Sequence, residues 1–413
     1  MFAIGKKLFI FLIFFTGMHL QVAIAAIKGD LVVYTNRGDL IDNGSFKKWI
    51  AAFKNKYPTF GDIKLKRSDN FEVESVKLFA ARQYGDVTLI PENLPKDVYP
   101  NYFEPLNNLG LSKHLYFADA WAYQGKEYAY SQGVSVEGLV YNKAVFKKLG
   151  LDVPQTLTEL YKAAAVLKQN GVTPLSLNIG SAWPLQQWDK APVLIAGNAN
   201  YYNEMLKNEA PYVKNGAFAQ SLNIPFTFYQ KGWSEDNIID DNWENSKAQF
   251  VKGKAAMYFL GSWVIPQLID KGLASKDVGF APFPFTNNTK TVGLVNKDWG
   301  LGVSRYSKNK IAAKAWLKFL LTESDFADMS GFIPTDKRKK PNLRQMREFQ
   351  SYQPEMIQAK SPSFQFIRLT NMAGIDFMRG GYIRNIILSS DFDMAINYWD
   401  RRWALALKNG DDQ

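Results

Sequence analysis

The sequence has 413 residues, 46% hydrophobic and 22% charged, the balance of an ordinary globular protein, and it is too long for a single hydrophobic core, so two lobes are expected. The absence of cysteine excludes a disulfide framework and a lipidated thiol, and two histidines are too few for a histidine-rich metal site. A formal charge of +11 fits a solvated basic surface, an anionic ligand or attraction to membrane headgroups, whereas nucleic acid fits neither an exported chain nor the lack of any nucleic-acid motif.

Residues 1–25 read as an export leader. Lys6 and Lys7 precede the apolar run LFIFLIFFTGM, too short to span a bilayer with ease, and Ala23-Ile24-Ala25 offers small residues for cleavage. Cleavage after Ala25 and a soluble periplasmic location are the expectation. The mature chain then opens as βαβαβ. Leu31-Val32-Val33-Tyr34 is a continuous apolar run for a buried strand, and Trp49, Ile50, Phe53 and Tyr57 keep helical spacing until Pro58. Ile63 and Leu65 mark a second strand, Phe71 to Gln83 a second helix, and Asp86 to Ile90 a third strand. Strands alternating with helices at this interval predict a parallel sheet with right-handed crossovers. Ligands of such sheets bind at the carboxyl edge. Here that edge carries Asn36, Arg37 and Asp39 after the first strand, Asp69 and Asn70 after the second, and Glu92 after the third. These are candidate polar contacts to a ligand, with helix capping and loop shaping as the competing reading.

From Gly125 to Asn142 the chain is strand-like, with Gly133 and Gly138 flanking alternating valines. A helix from Lys143 ends at Gly150, and Thr156-Leu157-Thr158-Glu159 fits a capping box for the next. The strand Thr173 to Leu177 leads into SAWPLQQWDK, which brings Trp183 to a sheet edge, whereas Trp188 reads as core. In the stretch Lys247 to Pro284, Gly253 ends a helix and AAMYFL is a buried strand. Gly261-Ser262 then turns the chain, and Ser262 caps a helix from Trp263 to Ile269. Trp263 therefore stands at the mouth of a strand-to-helix turn, and Pro282-Phe283-Pro284 leaves the sheet as rigid extended chain. In the helix Ile311 to Leu321, apolar Ile311, Ala312, Ala315, Trp316, Phe319 and Leu320 oppose Lys310, Lys314 and Lys318, the pattern of a scaffold helix. The basic run Asp336 to Lys340, ahead of Pro341, reads as an exposed loop.

The order F-x-x-G-K-A-A-M, strand, G-S-W, helix, V-G-x-x-P-F-P from Phe250 to Pro284 resembles the family 1 extracellular solute-binding proteins, the sugar-capturing subunits of ABC importers. YNKAVFKKLGLDVPQTLTEL (Tyr141 to Leu160), WGLGVSRYSKNKIAAKAWLKFLLTE (Trp299 to Glu323) and GFIPT (Gly331 to Thr335) resemble the same family in the same order. The resemblance implies an α/β, two-lobed periplasmic-binding-protein fold, with discontinuous lobes built on central mixed sheets and joined by a three-segment hinge. Residues 26–135 and 300–358 are expected in the first lobe, and 136–299 and 359–413 in the second. Crossings are expected at Gln132 to Gly138, Trp299 to Gly302 and Gln358 to Pro362, with Gly133, Gly138, Gly300 and Gly302 absorbing the motion. The implied function is capture of a carbohydrate, an oligosaccharide given the 15% aromatic content, by a monomer that closes around it and docks on ABC permease subunits without any cofactor or metal. Trp263 and Trp299 are the expected stacking platforms, with Trp183 and Asp298 beside them. Arg37 and Arg379 as cleft cations admit a sugar bearing a carboxylate.

Other classes stay open at this point. The same architecture could report to a chemoreceptor or sensor kinase instead. Tyr201-Tyr202 is similar to the adjacent tyrosines of ferric-ion-binding proteins, since phenolates suit a hard trivalent cation. Asp240-Asp241, or Asp391 with Asp393, could be offered as glycosidase acids, but nothing in the sequence orients them. A hydrolytic triad would rest on His114 alone, and neither G-x-S-x-G nor a phosphate-binding glycine loop occurs, so no enzyme is expected.

Overall fold

The computed structural model describes residues 27–411 other than 69, 93, 289 and 290. The leader expected over residues 1–25 and the candidate Asp69 lie outside the described residues. In chain order the strands are β1 (Gly29–Thr35), β2 (Phe60–Arg67), β3 (Val87–Ile90), β4 (Ala122–Tyr123), β5 (Lys126–Glu127), β6 (Ala129–Ser131) and β7 (Val134–Asn142). They continue as β8 (Thr173–Leu175), β9 (Ala255–Gly261), β10 (Val278–Ala281), β11 (Val292–Lys297), β12 (Gly300–Val303) and β13 (Glu355–Gln358). β4 and β5 pair only with each other.

The first lobe is built on a sheet of order β2-β1-β3-β12-β6, in which β1 runs parallel to β2 and β3 while β12 runs antiparallel to β3 and β6. Its parallel half is the βαβαβ unit that the helix–strand alternation predicts. Leu31, Val33, Leu89 and Ile90 are buried, and the helix Ser45–Lys56 adds Phe46, Trp49 and Phe53 to their core. Asp86 accepts the Val32 amide at 2.7 Å and the Ser307 hydroxyl at 2.5 Å, which ties β1 to the chain returning from the other lobe. In the helix Lys310–Thr322, Trp316 meets Phe53 edge to face at 5.3 Å. Ile311 was expected in the apolar stripe but is 66% exposed. Ala312, Trp316, Phe319 and Leu320 are buried as expected and Ala313 and Leu317 join them, while Lys310 reaches Glu104 and Lys314 the Pro105 carbonyl.

The second sheet has the order β13-β11-β7-β9-β8, with β10 added on β7. β7 is its spine: its first residues pair with β11, its last with β10, and its other edge with β9. All nine residues of β7 are buried because both faces of this sheet are covered. Leu139 and Tyr141 face the larger core, shared with the helices Leu157–Gln169, Gln187–Ala196, Ala217–Gln230 and Phe392–Asp411. Val136 and Val140 face a smaller core with Phe250, Val264, Leu268, Phe280 and Phe349. By strand alternation Ser135 and Glu137 lie on the Leu139 face.

The chain crosses between the sheets at Gln132-Gly133, from β6 to β7, and at Asp298-Trp299, from β11 to β12. The third crossing is not at Gln358 to Pro362. Ile333 bridges Val134, the Lys337 amide returns to the His114 carbonyl of the first lobe, and the helix Arg344–Ser351 then packs Met346 and Phe349 into the second lobe's smaller core. The passage therefore runs through residues 332–343, and residues 344–358 belong with the second sheet, where β13 pairs parallel to β11. The fraction of residues 300–358 expected in the first lobe is corrected accordingly.

Three of the four expected hinge glycines sit inside paired strands: Gly138 in β7, and Gly300 and Gly302 in β12. None of the four has positive φ. Each is needed for close approach, since a Cβ would meet Phe332 at Gly133, the Ala281 carbonyl at Gly138, Trp121 at Gly300 and Phe103 at Gly302, all within 3.0 Å. Only Gly133 lies between the sheets.

Candidate functional site

The first residues of β7, the ends of β8, β9 and β11 and the carboxyl ends of β1 and β3 converge on the two short crossings, so the space between the lobes is lined by strand termini. Its most conspicuous apolar feature is a group of three half-buried tryptophans. Trp183 stands 5.1 Å from Trp243 and 5.7 Å from Trp263 between ring centroids, and Trp243 stands 5.8 Å from Trp263. Trp263 packs against the cores of both lobes. The residue before the turn explains its placement. A Cβ on Gly261 would come closer than 3.0 Å to both the Trp263 indole nitrogen and Ser135 Oγ, so only glycine lets the ring fold back over the end of β9. Trp183 is carried by a loop with left-handed Asn178 (φ 59°) and Ala182 (φ 59°), held by Glu235, whose carboxylate accepts the Leu177 and Ile179 amides at 2.8 and 2.7 Å.

Beside the tryptophans lies a polar floor. Glu137 on β7 is 1% exposed. Its Oε1 accepts Lys190 Nζ at 2.9 Å and the Ser135 hydroxyl at 3.4 Å, while Oε2 has no hydrogen-bond partner among the described residues. Gln187, one helical turn before Lys190, likewise has an unpartnered Oε1 among the described residues. At the crossings, the Gln132 amide nitrogen donates to Asp298 Oδ1 at 2.6 Å and to Asn36 Oδ1 at 3.3 Å, which knits both hinge strands to the end of β1. Burial holds the Asp298 carboxyl above the usual range, with the Gln132 amide as the main opposing influence.

The structure brings Asn36 to Asp298 through Gln132, with Trp299 next in the chain, and brings Trp183 to Trp263, and it assigns other tasks to most of the remaining candidates. Arg37 is 4% exposed and forked onto Asp39, Nε to Oδ1 at 2.9 Å and Nη2 to Oδ2 at 2.6 Å, with a third bond to the Ser330 carbonyl and Phe332 beneath it. It is a structural clamp across the first lobe rather than a cation offered to the cleft. Glu92 accepts Lys297 at 2.7 Å, and that ammonium also lies over the Trp121 ring. Asn70 is exposed and starts the helix Phe71–Ala80, whose first amides its carbonyl accepts, so it follows the capping alternative through its backbone. Trp299 meets Phe71 edge to face at 5.9 Å. Arg379 reaches across from the second lobe to Glu72 at 3.8 Å, and Asn43 reaches Asp270 at 2.7 Å, so the lobes also touch through polar pairs. Burial raises the Glu72 carboxyl, and its bond to the Glu92 amide opposes that.

Sequence reasoning missed Ser135, Glu137, Lys190, Trp243 and Glu72. The available signal for Glu137 was a lone acid within the apolar run of β7, and for Trp243 an aromatic opening the helix Trp243–Val251. The Tyr201-Tyr202 pair does not converge on a metal: Tyr202 is core, its hydroxyl donating to the Asp189 carbonyl, and the Tyr201 ring packs on Phe218.

A family model for the bacterial extracellular solute-binding proteins matches residues 37–325. The chain is 30% identical over 203 residues to an uncharacterized ABC transporter extracellular-binding protein of Pyrococcus horikoshii, covering 48% of this chain and 44% of that relative. It is 24% identical over 306 residues to the multiple sugar-binding protein of Streptococcus mutans, covering 70% of this chain and 71% of the relative. In overall shape it is similar to a manno-oligosaccharide specific solute-binding protein of Bifidobacterium animalis subsp. lactis, solved with mannotriose: the TM-score is 0.83 at 22% identity, over 93% of this chain and 95% of the other. Because the family match spans well over half of the chain and the two-lobed architecture agrees with it, the chain belongs to the bacterial extracellular solute-binding proteins.

Proposed function

We propose that the cleft binds a neutral oligosaccharide and that the closed, loaded protein delivers it to the membrane subunits of an ABC importer. The observation that carries this reading is the tryptophan group beside four cations that each have a carboxylate of the protein within reach. Lys190 has Glu137, Lys297 has Glu92, Arg379 has Glu72, and Lys247, under the Trp243 ring, has Glu244 at 2.7 Å. Indole faces cover the C–H patches of a pyranose, and the hydrogen-bonding atoms of the floor take its hydroxyls. A ligand carboxylate would have to displace an existing partner from whichever of these four it approached, and Arg37 is already taken by Asp39, so the acidic sugar that Arg37 and Arg379 admitted is replaced by a neutral one. The ligands named for the relatives, multiple sugars and mannotriose, support the class.

Closure follows from tighter binding to the closed than to the open arrangement. The crossings restrict it to a rotation about Gln132-Gly133, Asp298-Trp299 and residues 332–343. The family name places the protein outside the cytoplasm, and a leader cleaved after Ala25 would release it as a soluble periplasmic monomer. No step requires bond-breaking chemistry. The test is a thermal-shift screen of neutral di- and trisaccharides followed by solution scattering. A rise in melting temperature with a smaller radius of gyration is expected, and no stabilisation by any neutral sugar would overturn the reading.

A further inference from the structure

The helix Gln187–Ala196 places two charged residues side by side at its start, one bonded to the hinge strand and the other buried inside the second lobe. Lys190 bonds Glu137 on the hinge strand. Asp189 is 0% exposed and accepts two hydrogen bonds: one to Oδ2 at 2.8 Å from the Met378 amide of the turn Asp376–Gly381, and one to Oδ1 from the hydroxyl of Tyr382 in the helix that follows the turn. That turn is conformationally costly. Met378 has φ 62° without being glycine. Asp376 braces it from the other side by accepting the Gly381 and Tyr382 amides at 2.8 and 2.7 Å, and the Arg379 amide bonds the Asp376 carbonyl. The turn has two outlets at the cleft. Arg379 reaches Glu72 of the other lobe, and Gly380 lies so close to the Ala182 carbonyl, just ahead of Trp183, that a Cβ there would collide with it.

We propose that Asp189 is a positioning residue for ligand binding: from inside the second lobe it fixes the left-handed Met378 so that Arg379 faces Glu72 and the Trp183 loop is backed by Gly380. The inference rests on the cleft being the ligand site. An aspartyl side chain suits the place because both of its oxygens face donors; an amide has one acceptor and would turn its own N–H toward one of them. Asp189 touches no ligand and acts entirely through the turn.

The test uses the full chain and four variants, Asp189→Asn, Arg379→Ala, the double variant and Tyr382→Phe, titrated calorimetrically with mannotriose and a panel of neutral trisaccharides. Tyr382→Phe also leaves an Asp189 oxygen unpaired in the core, yet it keeps the Met378 bond, so it separates a structural role from a positioning one. Asp189→Asn is expected to weaken binding about tenfold, as does Arg379→Ala, and the double variant to lie within about twofold of either single. Tyr382→Phe is expected to lower the melting temperature while keeping the wild-type affinity. Additive losses, unchanged affinity in Asp189→Asn, or an equal loss in Tyr382→Phe would overturn the proposal. Hydrogen exchange at the Met378 amide reads the turn without ligand. Faster exchange in Asp189→Asn but not in Tyr382→Phe is expected even if no sugar binds, and equal exchange in Asp189→Asn and wild type would overturn the positioning role independently of the sugar reading.

Discussion

Gly261→Ala is the smallest change that addresses the tryptophan wall. The added methyl would stand closer than 3.0 Å to Ser135 Oγ on one side and to the Trp263 indole nitrogen on the other. Ser135 can rotate away, but only by giving up its contact with Glu137. The indole is pinned by Trp183 and Trp243 at 5.7 and 5.8 Å and cannot tilt without disturbing both. Inserting a methyl into a packed site costs about 1–3 kcal/mol. Because the strain falls on the stacking platform, a comparable share should appear in binding, so an affinity loss on the order of tenfold is expected. Calorimetry supplies the dissociation constant, and near-ultraviolet circular dichroism reports the tryptophan cluster. An affinity within about twofold of wild type together with an unchanged aromatic spectrum would refute the role given to Gly261 and to the ring it admits.

Glu137→Gln leaves the Lys190 ammonium without its charge partner in a site nearly closed to water, and should lower the unfolding free energy by about 3–5 kcal/mol in urea titration; adding Lys190→Met should restore much of the stability but not the affinity. Gly133→Val drives a side chain into Phe332 between the lobes, so it should lower the melting temperature through overpacking worth about 1–3 kcal/mol rather than act as a clean hinge variant; an unaltered melting curve would show that the crossing can spread. Burial pushes the Asp189 carboxyl up to about 7, so the folded protein holds this proton more tightly than the unfolded chain. Its contribution to stability is therefore present below about pH 4 and lost as pH rises to about 7, by roughly 4 kcal/mol at the outside, and Asp189→Asn should flatten the slope of stability against pH in that window; parallel slopes would contradict the assignment.

The elements whose backbone needs are local were legible in the sequence. The β1-β2-β3 unit, the capping box of the helix Leu157–Gln169 and the glycine turn ahead of Trp263 follow from periodicity, a cap residue or close approach, whereas Ser262 does not cap the helix Val264–Asp270 and its hydroxyl accepts the Val136 amide instead. What was lost depended on partners far away in the chain. Arg37 looked like a cleft cation because nothing in its neighbourhood reveals that it reaches the Ser330 carbonyl and lies over the Phe332 ring. Glu137 was hidden inside a strand that reads as core, and its meaning appears only when Lys190 arrives from another element. The third crossing was misplaced because residues 344–358 carry no signal of which sheet they join until β13 pairs with β11. Glycines taken as flexible proved to be points of close approach, which a sequence marks with the same letter.

In the proposed function the cleft holds an uncharged sugar against the tryptophan wall. The most direct measurement is a calorimetric titration of the wild-type protein and of Trp263→Ala with a neutral trisaccharide and with an acidic trisaccharide of similar size. Saturable binding of the neutral sugar, weakened by about 1–3 kcal/mol in Trp263→Ala and much weaker or absent for the acidic one, is the expected result. Binding of the acidic sugar in preference to the neutral one, or neutral binding untouched by the loss of Trp263, would contradict it.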